Sequence, residues 1–167
     1  MQQSGATKIS TSRNEAERLR FWTGRKAAFP AAGRVSPDYY CMDGTIPRGQ
    51  ISFVLNEIYR LSAHYALPVA NVFHAGDGNL HPLILFDASD PHEVHKAEKF
   101  GADILELSVR VGGCITGEHG VGVEKLRKMA SQFSAQELAQ LEDIKHAFDP
   151  ALNLNPGKGV PILKRCQ

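Results

Sequence analysis

The chain has 167 residues, with 19 Lys+Arg against 18 Asp+Glu and 43% hydrophobic residues, which excludes a disordered or collagen-like polymer and fits one domain with a single core. A formal charge of +1 and the lack of any long Lys/Arg run leave no electrostatic footprint for nucleic acid.

Ser12 with Glu15 and Asn14 with Glu17 are capping pairs in front of EAERLRFWTGRKAAF, so a helix is predicted to open near residue 15. Pro30 is expected to stop it, because it disfavours the α region for Phe29. Residues 31–48 are irregular, with one edge strand expected over 39–42. Ile51, Val54, Leu55, Ile58, Leu61 and Tyr65 recur at helical spacing and predict an amphipathic helix over 50–65. Apolar runs at 69–73 and 80–86 flank Gly76-Asp77-Gly78-Asn79 and predict a hairpin. Asp90 followed by Pro91 opens a helix over 91–111. A short strand is expected at 114–116, helix over 123–130, and a last helix capped by Ser134 and Glu137. Leu138, Leu141, Ile144 and Phe148 form its expected buried face, and Asp149-Pro150 ends it before an irregular tail.

The cysteines, Cys41, Cys114 and Cys166, are odd in number and lack CxxC spacing, so they read as free thiols in a reducing compartment. No apolar run approaches the roughly 20 residues that span a bilayer, and the N-terminus lacks the parts of a signal peptide. The expected address is the cytoplasm.

A two-residue turn at Asp77-Gly78 would place His74 directly opposite His81, with Cβ atoms about 5 Å apart. Two imidazoles on rigid strands suit one transition metal ion, although paired surface histidines without a ligand are common. Glu118 and His119, adjacent in the loop GEHGVG, offer a third ligand: one could bind metal while the other meets substrate. The loop lacks GxGxxG spacing and the P-loop Lys-Ser/Thr, which sets nucleotide binding aside. Arg25 and Lys26 could bind a carboxylate or simply be solvated. Cys41 and Cys114 have no His partner in local sequence and read as small buried hydrophobes.

HAGDGNLHPLILFD at 74–87, GGCITGEHGVGVEK at 112–125 and FDPALNLNPGKGVP at 148–161 resemble the C-terminal domain of FAD-linked 2-hydroxyacid oxidoreductases. The resemblance covers the whole chain and implies an α+β fold, a ferredoxin-like antiparallel sheet with helices on one face, followed by a C-terminal helix and irregular tail. It implies that residues 1–167 form a single substrate- and metal-binding cap. FAD would be bound mainly by an FAD-binding domain missing from this sequence, and the cap alone would be inactive. It further implies that His74, His81 and Glu118 bind a divalent metal, Zn or Mn, and that His119 is the general base. Arg25 would contact the substrate carboxylate, and Asn155 and Lys158 would return to the flavin. Expected partners are a small 2-hydroxyacid, the FAD-binding domain and sibling oxidase subunits, with peripheral attachment to the inner membrane as part of an oxidase complex. Exposed domain-facing surface would favour a homodimer. Relatives acting on longer dicarboxylates carry polar groups where this chain has Cys41, Pro82 and Leu83, which points to glycolate or D-lactate. The competing readings are a self-contained metal-dependent hydrolase and a noncatalytic docking module.

Overall fold

The structure, a computed structural model, describes residues 5–161; Cys166 lies outside the described residues. Helix α1 (Glu15–Lys26) starts at Asn14, whose side chain accepts the Glu17 N–H at 2.9 Å, as the capping pair predicts. Pro30 does not stop the helical run. The break comes earlier, at Ala27, and α2 (Ala28–Ala32) runs through the proline. Pro30 sits in the first turn of α2, where an N–H would have no intrahelical acceptor.

Next come β1 (Asp38–Cys41), β2 (Gly44–Thr45), α3 (Ile51–Tyr65), β3 (Val69–His74), β4 (Asn79–Phe86) and α4 (Pro91–Arg110). Short α5 (Met129–Gln132) and α6 (Ala135–Phe148) complete the fold. Asp90 caps α4 by accepting the His92 N–H at 2.8 Å, and Ser134 forms the expected capping box with Glu137 on α6.

The fold is α+β, built on a four-stranded antiparallel sheet with β4 at its centre, β3 on one side and β1 with β2 on the other. One register serves both short strands, from Asp38 opposite Phe86 to Thr45 opposite Asn79. Met42 and Asp43 therefore fall opposite Pro82 and His81. The ladder lapses there because Pro82 can accept the Met42 N–H, at 3.0 Å, but has none to return. The order of elements is β-α-β-β-α, and a final strand is reduced to one antiparallel bridge between Cys114 and Thr45. The strand expected at 114–116 is thus only a bridge.

Alternation along β4 divides the sheet into two faces. Leu80 and Ile84 join the main core with Val54 and Ile58 of α3 and Phe100 and Ile104 of α4. Leu83 and Leu85 point the other way, against Ala32 of α2 and half-buried Phe29. The two long helices cover one face, whereas α2 covers only one end of the second. The rest of that second face carries His81, Asn79, His74, Cys41 and Asp43, by register.

Two other expectations need correction. Residues 123–130 are not one helix: a turn leads into a 3₁₀ segment, Leu126–Lys128, and then α5, because Lys125 turns inward and is buried. In α6, Leu138 is buried and Leu141 packs on the core, but Ile144 is 57% and Phe148 84% exposed. The apolar stripe is present, but α6 packs on short α5, so its C-terminal half runs past its support.

Candidate metal and substrate site

The β3–β4 connection is longer than a two-residue turn. His74 pairs with Asn79, and His81 pairs with Val72, so the imidazoles are diagonal rather than directly opposite. The register differs from expectation by two residues, and a shift of two leaves every side chain on the same face. The rings still meet, with centroids 5.4 Å apart and planes at 87°.

Glu118 closes the pair. Its Oε1 lies 2.7 Å from His81 Nε2, 3.6 Å from His74 Nε2 and 3.2 Å from Asn79 Nδ2, which donates to it. The donor atoms of His74, His81 and Glu118 all lie within 4.8 Å of one another. Two neutral nitrogens and one anionic oxygen match the donors that zinc and manganese accept. His81 is only 4% exposed and its Nδ1 has no hydrogen-bond partner, as is true of Asn79 Oδ1. Such unpaired buried groups are costly unless a ligand engages the site. Thr45, His74, Asp77, Asn79, Gly117 and Glu118 line a hollow of about 350 Å3 that opens beside these atoms, enough for a small organic acid.

The loop that delivers Glu118 and His119 is held by Asp43. This fully buried carboxylate accepts the Thr116 hydroxyl at 2.7 Å and the N–H groups of Gly117 at 2.9 Å, Glu118 at 3.3 Å and His119 at 3.0 Å. Buried Lys125 adds an ion pair at 3.2 Å and donates to the Asp43 carbonyl at 2.8 Å. Burial is the largest single influence on Asp43 and raises its carboxyl pKa, but Thr116, the Gly117 and His119 amides and Lys125 together hold it well below the usual carboxylate range. Gly117 is required by space: a Cβ there would lie 2.4 Å from Asn79 Oδ1 and 2.5 Å from Thr45 Oγ1. His119 is exposed and stacks on His81 at 5.0 Å with planes 19° apart.

Residues 1–159 match the family described as FAD linked oxidases, C-terminal domain. The chain belongs to this family. It is 60% identical over 163 residues to the glycolate oxidase subunit GlcD of Escherichia coli K12, covering 98% of this chain and 33% of that protein. GlcD of Bacillus subtilis is 35% identical over 153 residues, 92% of this chain and 33% of that protein. The mitochondrial D-lactate dehydrogenase [cytochrome] of Arabidopsis thaliana is 30% identical over 142 residues, 84% of this chain and 25% of that protein. The chain therefore spans about a third of the length of the GlcD relatives, which by name are oxidase subunits.

Within this FAD-linked oxidase C-terminal domain, His74, His81, Glu118 and His119 come together; the other expected site residues do not join them. Arg25 is exposed on α1, a helix that buries no residue. Asn155, at φ 48°, and Lys158 form an exposed turn in which the Lys158 N–H donates to the Asn155 carbonyl at 3.2 Å. That turn approaches the glycine loop, since the Gly159 N–H donates to the Gly122 carbonyl at 2.9 Å. Of the three positions used to argue for a small substrate, only Cys41 borders the imidazoles. Pro82 lies on the helix-covered face by register, and Leu83 is buried against Ala32.

Asp43, Lys125 and Asn79 were missed from sequence. Asn79 reads as a turn residue inside GDGN, yet it is the first residue of β4. An acidic residue two positions beyond Cys41, directly after the run Tyr39–Met42, was the available signal for Asp43. Nothing local marks Lys125 among the charges of VEKLRK. Among the described residues, no helix is long and apolar enough to cross a membrane.

Proposed function

We propose that this chain is the substrate- and metal-binding cap of a flavin-dependent oxidoreductase that converts a small 2-hydroxyacid, glycolate or D-lactate, to the 2-oxoacid. The observation that supports this most is the convergence of His74, His81 and Glu118 within 4.8 Å in a chain 60% identical to a glycolate oxidase subunit.

His74, His81 and Glu118 would hold a divalent cation, Zn2+ or Mn2+, which when bound would supply a Lewis acid for the substrate carboxylate and hydroxyl. FAD, carried by an FAD-binding domain outside these residues, would supply the hydride acceptor. His119 would take the hydroxyl proton on a ring nitrogen, a role suited to neutral imidazole near physiological pH. Its stacking on His81 and its backbone bond to Asp43 would hold the ring at the substrate before it arrives. Arg25 would clamp the substrate carboxylate, for which a guanidinium fork is suited, with α1 brought into place by the rest of the enzyme. Asn155 and Lys158 would meet the flavin. The cap would be inactive alone, would pair with sibling oxidase subunits or a second copy, and would work in the cytoplasm or at the inner membrane surface.

The test is metal analysis of chelator-stripped, reconstituted protein, comparing wild type with the His74→Ala/His81→Ala double variant. Stoichiometric metal in wild type and none in the double variant is expected; equal metal in both would overturn the ligand set. In the enzyme with its FAD domain, flavin reduction by glycolate or D-lactate is expected, and a kinetic preference for a dicarboxylate would overturn the substrate reading.

A further inference from the structure

His81 has neighbours on both sides of β4. His74 and Glu118 meet it from the β3 side and the loop. Cys41, which pairs with Leu83, is its diagonal neighbour on the β1 side, and His119 stacks over its ring. The donor atoms of Cys41, His81 and His119 also lie within 4.8 Å of one another. His81 keeps one ring nitrogen on Glu118 at 2.7 Å, while Nδ1 is buried without a partner. The imidazole thus has ligand capacity that the first set leaves unused. Cys41 is a free, half-buried cysteine, and its thiol donates to the Met42 carbonyl at 3.8 Å.

We propose that Cys41, His81 and His119 form a second metal-binding set, selective for a thiophilic divalent cation, which shares His81 with the His74–His81–Glu118 set. Sulfur with two imidazoles favours zinc-like, cadmium-like or cobalt-like ions over hard cations such as Mn2+ or Mg2+. Tetrahedral ligands around zinc stand about 3.5 Å apart given its Zn–N and Zn–S bond lengths, so, with all donors within 4.8 Å, no pair draws in by more than roughly 1.3 Å. His119 is exposed on its loop and can make that movement. Burial first, and then the Asp43 charge, push the Cys41 thiol up to about 11, so without metal it stays protonated. Coordination displaces that proton to solvent as the metal–sulfur bond forms. On the function proposed above, a cation held here withdraws His119 from proton transfer, so this set is inhibitory.

The experiment is titration of the chelator-stripped 167-residue chain with Co2+, following the near-ultraviolet charge-transfer absorption of a cobalt-bound thiolate. A saturable band is expected in wild type, and it should survive His74→Ala, Cys114→Ser and Cys166→Ser. Cys41→Ser, Cys41→Ala and His119→Ala should each lose it while keeping the far-ultraviolet circular dichroism of the fold. Absence of the band in wild type, its persistence without Cys41, or its loss on changing Cys114 or Cys166 would overturn the proposal. The first set is read separately with Mn2+, which a thiolate site disfavours: Mn2+ binding lost in His74→Ala but kept in Cys41→Ala belongs to the first set, so the two proposals fail independently.

Discussion

Asp43 accepts the backbone N–H of His119 at 3.0 Å, across 76 positions of sequence. A residue in the gap between β1 and β2, opposite His81 by register, thereby anchors the loop that carries Glu118 and His119. Asp43 holds the loop through its backbone, accepting the N–H groups of both Glu118 and His119.

Removing the Asp43 carboxylate strands Lys125 in the interior. Asp43→Ala is expected to destabilise the fold by about 3–5 kcal/mol, the range for breaking a buried pair from one side. The Asp43→Ala/Lys125→Met double variant should recover part of that loss, because it leaves no uncompensated charge. Urea denaturation of the three proteins checks this, and a double variant less stable than the single one would contradict it.

The pH dependence follows from the same group. The carboxyl of Asp43 is lowered in the folded state, so in acid the unfolded chain binds the extra proton and stability rises with pH. The contribution is fully present above the ordinary aspartate value of about 3.9 and is lost as the pH falls through the depressed folded value. Wild type should therefore lose stability more steeply than Asp43→Asn below about pH 4. Denaturation midpoints measured across the acid range would show equal slopes if Asp43 were not the responsible group.

Glu118 is half exposed at its side chain, and on the proposed function it serves the site. Glu118→Gln is expected to change stability by about 0.5 kcal/mol or less while weakening divalent metal binding at least about tenfold, since an anionic ligand is lost. Calorimetric titration with Zn2+ and Mn2+ checks the second part; unchanged affinity would remove Glu118 from the ligand set.

Two glycines should respond in opposite directions. A Cβ at Gly113 would lie 1.9 Å from the Thr45 carbonyl oxygen, a backbone atom, whereas one at Gly24 in α1 meets nothing within 4 Å. Gly113→Ala should lower the melting temperature by disrupting the Cys114–Thr45 bridge. Gly24→Ala should stabilise by about 0.5–1 kcal/mol, the usual cost of glycine inside a helix.

Phe100 is fully buried and Phe148 is 84% exposed. Phe100→Ala should cost about 3–5 kcal/mol, while Phe148→Ser should stay within about 0.5 kcal/mol. Phe148 reads as a core position from helical spacing, and thermal or urea unfolding of the two variants checks the contrast.

The sequence by itself determined the local features. The caps at Asn14, Asp90 and Ser134 come from side chains that bond their own helix start, the 3.6 periodicity sets α3, and apolar runs on either side of Gly76–Asn79 set β3 and β4, because these signals are complete within a few residues. It also determined that His74 and His81 share a sheet face, since parity survived a two-residue error in register. Tertiary structure alone decided the rest. Whether Phe148 is covered depends on how far α5 extends beneath α6, and Pro30 continues a helix because it falls in a first turn. Asp43, Lys125 and Cys41 join the site only when β1 and β2 lie along β4 and the loop at 117–119 folds over them. Burial and long-range pairing create those contacts, and neither is encoded in the spacing of neighbouring residues.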